Sequence, residues 1–106
     1  VTTNALAWVN TGWNGSAIVT KSSYNVSSVT RSSTGVYVIN FSNTLSDANY
    51  ALVGTCGQGN VYINGGAANG TTNPTYLTTS ATIQAQSGSA ATATDQISVS
   101  VVIFGN

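Results

Sequence analysis

The stretch NVSSVTRSSTGVYVINFSNTLSDANYALVG, residues 25–54, decides the fold. Within it, Tyr37, Ile39 and Phe41 occupy every second position of the segment VYVINF, which is the alternation of a β-strand with one face in a core. One strand precedes this segment, and another follows the turn-rich residues after it. The stretch therefore predicts three strands joined by two turns, forming a meander against which the rest of the chain packs.

The flanking segments add short strands separated by turn residues. The predicted strands are residues 5–9, 16–20, 24–30, 36–42, 49–56, 60–64, 75–85 and 95–104. The segment 49–56 is expected to form a hairpin with 36–42. Loops are predicted at 65–74 and 86–94, and no stretch has helical periodicity with caps. The sequence thus predicts an all-β antiparallel β-sandwich or jelly roll of seven to nine strands. Its 106 residues form a single domain, residues 1–106.

The chain carries very little charge. Lys21, Arg31, Asp47 and Asp95 are its only charged residues, 4 % of the chain against about 25 % in an average soluble domain. Nucleic acid is not expected as a partner because two cations do not form a basic surface. A membrane is not expected either, since apolar runs such as residues 5–9 and 101–104 are far too short to span a bilayer, and no targeting segment is visible.

The reactive residues do not form a recognisable catalytic or metal-binding set. Histidine and glutamate are absent, and Asp47 and Asp95 are the only pair of carboxylates. Both are expected to be structural, with Asp47 capping backbone N–H groups in its turn. The lone Cys56 is expected to be a small buried residue, and a chain without disulfides fits assembly in a reducing cytoplasm. No catalytic residue, metal site or cofactor is therefore predicted.

Zero net charge and an almost uncharged surface favour self-association or a larger assembly. The alternative is a soluble monomer kept apart from its neighbours by serine, threonine and asparagine. Trp8 is expected to be a large anchor in the core or in an interface. The residues predicted to contact other subunits or a shell are Trp8, Trp13, Val102 and Phe104.

The loop over 65–74, GGAANGTTNP, is the longest in the chain and a candidate ligand loop. Its Asn-Gly pairs indicate turns first and ligand contacts only second. Trp13 and Tyr62 are candidates for stacking on sugar rings, although core or subunit contacts are the commoner use of such residues. The candidate ligand-binding residues of this loop are Asn64, Gly65, Asn69, Gly70, Thr72 and Asn73.

Four blocks of the sequence, in order, are similar to a bacteriophage structural domain that often ends tail-fibre-like proteins. These blocks are AWVN at 7–10, NVSSVT at 25–30, TGVYVINF at 34–41 and DANYALVG at 47–54. The chain departs from the pattern of that family at Arg31, where the family commonly has an acidic turn. The resemblance implies a non-enzymatic virion protein that is assembled in the host cytoplasm. Its implied partners are further copies of itself, in a homotrimer, and other virion proteins.

Two virion roles are compatible with this resemblance. A capsid decoration, or cement, protein on the head surface is expected first, since one compact domain has no shaft or coiled coil; its partner would be the major capsid protein. The alternative is the distal receptor-binding domain of a trimeric tail fibre, with the 65–74 loop contacting host surface glycan. A carbohydrate-binding module without a virion role is the third possibility.

Overall fold

The computed structural model describes residues 5–56, 61–64, 76–87, 92–93, 95 and 98–105. These residues form strands and no helix, which confirms the all-β prediction. The strands are β1 Ala5–Thr11, β2 Ser22–Tyr24, β3 Val26–Ser33, β4 Val36–Phe41, β5 Ala51–Cys56, β6 Val61–Asn64, β7 Ser80–Ser87, β8 Thr92–Ala93 and β9 Val99–Phe104. None of these residues form a helix long and apolar enough to cross a membrane.

The strands form two antiparallel sheets. One sheet has four strands in the order β2-β1-β9-β5, and the other has the order β3-β4-β7-β6, with β8 also paired to β7. The late strand β9 lies between β1 and β5, and β7 lies between β4 and β6. Insertion of late strands between early ones in two facing sheets is typical of a jelly-roll-like sandwich.

The core lies between the inward faces of the two sheets. The alternation predicted for β4 is confirmed, because Tyr37, Ile39 and Phe41 are buried while the intervening residues are only partly so. The last strand repeats the pattern with Val99, Val101 and Ile103 inward. The other buried apolar residues are Ala7, Val9, Leu45, Tyr50, Ala81, Ile83 and Ala85.

The predicted three-strand meander is wrong in its third strand. β3 and β4 do form a hairpin, but β5 pairs with β9 in the other sheet rather than with β4. The connection between β4 and β5 crosses over the end of the core, where Leu45 and Tyr50 are buried. The backbone N–H of Leu45 donates to Thr78 O at 2.9 Å, which fixes this crossing. Burial of these two side chains draws the chain away from a tight hairpin.

The strand predicted over residues 16–20 is also wrong. This segment makes only a single bridge, between Trp13 and Ile18, and the partner of β1 is the later segment β2. The Asn14 side chain accepts hydrogen bonds from the N–H groups of Ser16 and Ala17, both at 2.9 Å. These bonds close a turn, and the turn takes the place of strand pairing in this segment.

Several other predicted boundaries move. The strand predicted over 24–30 is found as β3 over Val26–Ser33, with Tyr24 in β2. β7 begins at Ser80 and β9 at Val99, later than expected, and β8 occupies part of the loop predicted over 86–94. Before β7, the hydroxyl of Tyr50 donates to Leu77 O at 3.0 Å, and the ring of Tyr50 stacks on that of Tyr76 with centroids 5.2 Å apart. These contacts hold residues 76–79 as a packed turn instead of a strand.

Candidate functional site

Apolar side chains form a continuous row across the outer face of the four-stranded sheet. The register pairs Trp8 of β1 with Tyr24 of β2 on one side and with Val102 of β9 on the other. Val102 in turn pairs with Val53 of β5. The inward positions of these strands are filled by buried residues such as Val9 and Val101, so the row faces outward. It crosses all four strands.

A second, shorter row lies beside the first. Phe104 pairs with Ala5 on β1 and with Ala51 on β5, so two small residues flank its ring. We call the two rows together the apolar face, comprising Tyr24, Trp8, Val102, Val53, Ala5, Phe104 and Ala51.

The apolar face exposes enough surface to be a contact site. The exposed fractions are 36 % for Trp8, 56 % for Tyr24, 59 % for Val53 and 39 % for Phe104. The three aromatic side chains alone expose roughly 300 Å² of surface. Monomeric proteins rarely expose contiguous apolar patches larger than a few hundred Å², and such patches are often functional. Together with Val53, these residues can therefore form the centre of a protein interface.

The apolar face ends abruptly on one side. In the next row along the strands, Asn10 pairs with Ser22 and Ser100, and Ser100 pairs with Thr55. An apolar centre with a rim of short polar side chains is the composition of a protein–protein interface.

The structure brings together three of the four residues predicted to contact a partner. Trp8, Val102 and Phe104 share the apolar face, while Trp13 lies elsewhere, packed against the core. The prediction missed Tyr24 and Val53, which join the face only through the pairing of β2 with β1 and of β5 with β9. The core alternative for Trp8 is wrong. Ala7 and Val9 point inward in its strand, so Trp8 points outward.

A second cluster, of charged and aromatic groups, closes one end of the sandwich. Arg31 pairs in register with buried Tyr37, which places its side chain on the core side of β3. Its Nε and Nη2 atoms donate to the two oxygens of Asp95 at 3.0 and 2.7 Å. The guanidinium also lies over the ring of Trp13, 4.4 Å from the centroid. We call Arg31, Asp95 and Trp13 the end clasp.

The Asp95 carboxylate accepts further hydrogen bonds from the turn and the second strand of the β3–β4 hairpin. The N–H of Gly35 and the hydroxyl of Tyr37 both donate to Asp95 Oδ1 at 2.9 Å. The hydrogen bonds from Arg31, then those from Gly35 and Tyr37, lower the pKa of Asp95 to about 2. The same bond to Asp95 raises the pKa of Arg31.

The end clasp joins the two sheets. Arg31 and Gly35 belong to the β3–β4 hairpin, Trp13 follows β1 of the other sheet, and Asp95 lies on the connection from β8 to β9. Because every Asp95 oxygen is used by these partners, the carboxylate is held as a structural anion. That agrees with the structural role expected of Asp95.

Asp47 also has the predicted turn role, since its Oδ1 accepts from the N–H of Asn49 at 2.8 Å. Neither aspartate is placed in a cleft: the described ranges form no ligand-sized pocket. Those ranges likewise hold no cluster of three or more residues from the set His, Cys, Asp and Glu.

The candidate ligand loop over 65–74 lies outside the described residues, so Gly65, Asn69, Gly70, Thr72 and Asn73 remain predictions. Asn64 ends β6, where its backbone pairs with Gln84 of β7.

Comparison with protein-family models, with curated proteins and with solved structures finds no match to this chain.

Proposed function

We propose that this chain is a non-enzymatic structural protein of a bacteriophage virion, acting as a trimeric decoration protein on the head. The phage assignment rests on the sequence blocks that resemble tail-fibre-like proteins. The observation that carries a structural role is the apolar face, an uncharged aromatic and aliphatic surface with a polar rim. Such a surface is suited to binding another protein surface and not to chemistry on a substrate.

The mechanism is mechanical attachment. The exposed parts of Trp8, Tyr24 and Phe104 supply apolar area, and the serine and asparagine rim supplies hydrogen bonds. A decoration protein meets its shell in many copies, so avidity strengthens attachments that are weak individually. The major capsid protein and neighbouring copies of the chain are the proposed partners.

A non-enzymatic role is also supported by how the two carboxylates are used. Glycoside cleavage requires one carboxyl group to act as acid and another as base or nucleophile. Asp95 accepts hydrogen bonds from Arg31, Gly35 and Tyr37, and Asp47 is bonded to its own turn. Both groups are therefore held by the fold.

Localisation on intact phage particles tests this proposal. Density from cryo-electron microscopy or gold-labelled antibody should be distributed over the head lattice. A matched pair of variants connects that position to the surface: Val53→Arg alters the apolar face, whereas Thr82→Arg alters the outer face of the other sheet. The first should be depleted from particles, and the second should be incorporated like the parent chain.

Label confined to tail tips would replace the decoration role with that of a receptor-binding fibre domain. Absence of label from every particle would overturn the virion proposal and favour a carbohydrate-binding module. Equal incorporation of both arginine variants would show that the apolar face is not the attachment surface.

A further inference from the structure

Resting on the proposed function, we infer that the apolar face is covered by neighbouring copies of this same chain. In each contact the aromatic half of one face, Tyr24 and Trp8, packs on the aliphatic half of the next, Val102 and Val53. The symmetry axis that relates the copies runs parallel to the strands. The partner is thus the chain itself, and the site is the row that crosses all four strands.

The order of side chains along the row is what makes the face self-complementary. Tyr24 and Trp8 are large and lie on adjacent strands at one end, whereas Val102 and Val53 are small and lie on adjacent strands at the other. Large side chains packed against small ones fill an interface at the density of a protein interior. Large side chains packed on large ones would instead leave gaps between the small ones. The best complement of either half is the other half of a second copy.

This complementarity also fixes the direction of the symmetry axis. The row runs across the strands, so a rotation about an axis parallel to the strands brings its opposite ends together. A two-fold axis along the row would instead stack Trp8 on Trp8 and leave the valines facing each other. Both axes keep the strands of facing sheets aligned, the usual geometry for sheets that pack about 10 Å apart, so the order of side chains decides between them.

Charge does not oppose this contact. The apolar face contains no Asp, Glu, Lys, Arg or His side chain, and the chain as a whole has zero net charge. Arg31 and Asp95 neutralise each other in the end clasp. Copies therefore approach without long-range repulsion and without a buried charge that needs a partner.

The area is sufficient for the centre of an assembly contact. The roughly 300 Å² exposed by the three aromatic side chains is more than a third of the ~800 Å² that each partner contributes to a standard interface. Val53 and the polar rim extend it. In the proposed trimer each copy both donates its aromatic half and accepts that of a neighbour, so the ring closes.

Disulfide trapping tests the pairing. The double variant Tyr24→Cys/Val53→Cys is oxidised with copper phenanthroline in air and separated on a non-reducing gel. Three strand spacings, roughly 14 Å, separate these positions within one chain, beyond the ~7 Å Cα limit for a disulfide. Covalent oligomers therefore report contacts between copies. Every chain in the experiment carries Cys56→Ser, because Cys56 lies on β5, the strand of Val53, and could itself link to a new cysteine. The controls are the Cys56→Ser chain and each single cysteine variant made in it.

We expect covalent oligomers from the double variant at a yield at least about ten-fold above every control, given the narrow geometry a disulfide accepts. A ladder ending at trimer agrees with both the inference and the proposed trimer. One ending at dimer agrees with the pairing but replaces three-fold by two-fold symmetry. Efficient cross-linking of Tyr24→Cys alone would overturn the pairing, since it brings like halves together.

Different experimental results would overturn the inference and the proposed function. A chain that sediments as a monomer, forms no covalent oligomer and still decorates phage heads would overturn self-association, and the face would then contact a different virion protein. A chain that forms the predicted oligomer but is absent from particles would leave the inference standing and overturn the virion role.

Discussion

The two outer faces of the sandwich are built on the same alternation but present opposite chemistry. The four-stranded sheet shows the aromatic and aliphatic apolar face. The outward positions of the other sheet, which we call the polar face, include Ser28, Thr30, Val36, Val38, Asn40, Ser80, Thr82 and Gln84. On the polar face the side chains hydrogen-bond to one another, as Asn40 Nδ2 does to Ser28 Oγ at 3.1 Å.

The inward faces explain why this difference is informative. Both sheets bury apolar residues, so the core accounts for the inward positions of Val101 and Ile83 alike. The core makes no demand on the outward positions. A solvated sheet surface can consist largely of serine, threonine and asparagine, as the polar face does. Trp8 and Tyr24 on the other surface therefore point to contact with another molecule.

A charged substitution should reveal the largest difference between the two faces. Val53→Arg should weaken self-association at least about 100-fold, because an unpaired guanidinium in an apolar contact costs several kcal/mol. Thr82→Arg, the matched change on the polar face, should leave association within about three-fold of the parent, as surface substitutions usually do. Sedimentation velocity over a dilution series measures both. Equal loss in the two variants would remove the distinction between the faces.

The end clasp should contribute to the stability of the monomer while altering neither face. Because its folded pKa is lowered from 3.8 to about 2, Asp95 stabilises the fold above pH 4, and this contribution is lost as the pH falls towards 2. Asp95→Asn should therefore lower the free energy of unfolding at pH 7 by roughly 2 kcal/mol. Near pH 2 the variant and the parent should become similar.

Urea unfolding at pH 7, 4 and 2 measures this effect. The control is Asp47→Asn, in which the amide oxygen can still accept from the N–H of Asn49. A difference between Asp95→Asn and the parent that stays constant down to pH 2 would show that the charge of Asp95 is not what stabilises the clasp.

Removing Trp8 should have a smaller effect on the isolated chain. The side chain is 36 % exposed and outward, so Trp8→Ala should cost the monomer about 1 kcal/mol, compared with about 3–5 kcal/mol for a core tryptophan. In assembled protein the cost should be larger, since association stabilises the folded state. Thermal melts at low and high concentration give both values. If the free energy of unfolding of the dilute monomer falls by several kcal/mol, Trp8 stabilises the fold as a core residue does.

The smallest effect is expected on the polar face. Asn40→Ala removes the bonds from Nδ2 to Ser28 and Thr30, which are exposed to competing water. The free energy of unfolding should fall by about 0.5 kcal/mol, and sedimentation should be unchanged. Altered association would mean that this face also contacts a partner.

The sequence predicted the class of fold because strand alternation is a local signal. In β4, apolar residues at every second position identified the inward side chains before any pairing was known, and β9 shows the same alternation. The pairing itself depended on distant parts of the chain. Nothing near β5 indicated that it would pair with β9, since burial of Leu45 and Tyr50 directs that crossing.

The candidate site was predictable only in part for the same reason. Trp8, Val102 and Phe104 stood out as large residues in short strands. ALAWV is apolar at inward and outward positions alike, so alternation could not show which way Trp8 points. Tyr24 and Val53 join the face through register alone. The ion pair between Arg31 and Asp95 spans most of the chain and carried no local signal.

The most direct test of the apolar face as a contact surface is the accessibility of Trp8 in assembled and dissociated protein. Trp13→Phe leaves Trp8 as the only indole while keeping an aromatic ring beneath Arg31. Acrylamide quenching of its fluorescence is then followed across the concentration range in which sedimentation shows dissociation. We expect quenching to rise on dilution, as the face loses its cover. Quenching that stays constant while the assembly dissociates would place the contacts elsewhere on the molecule.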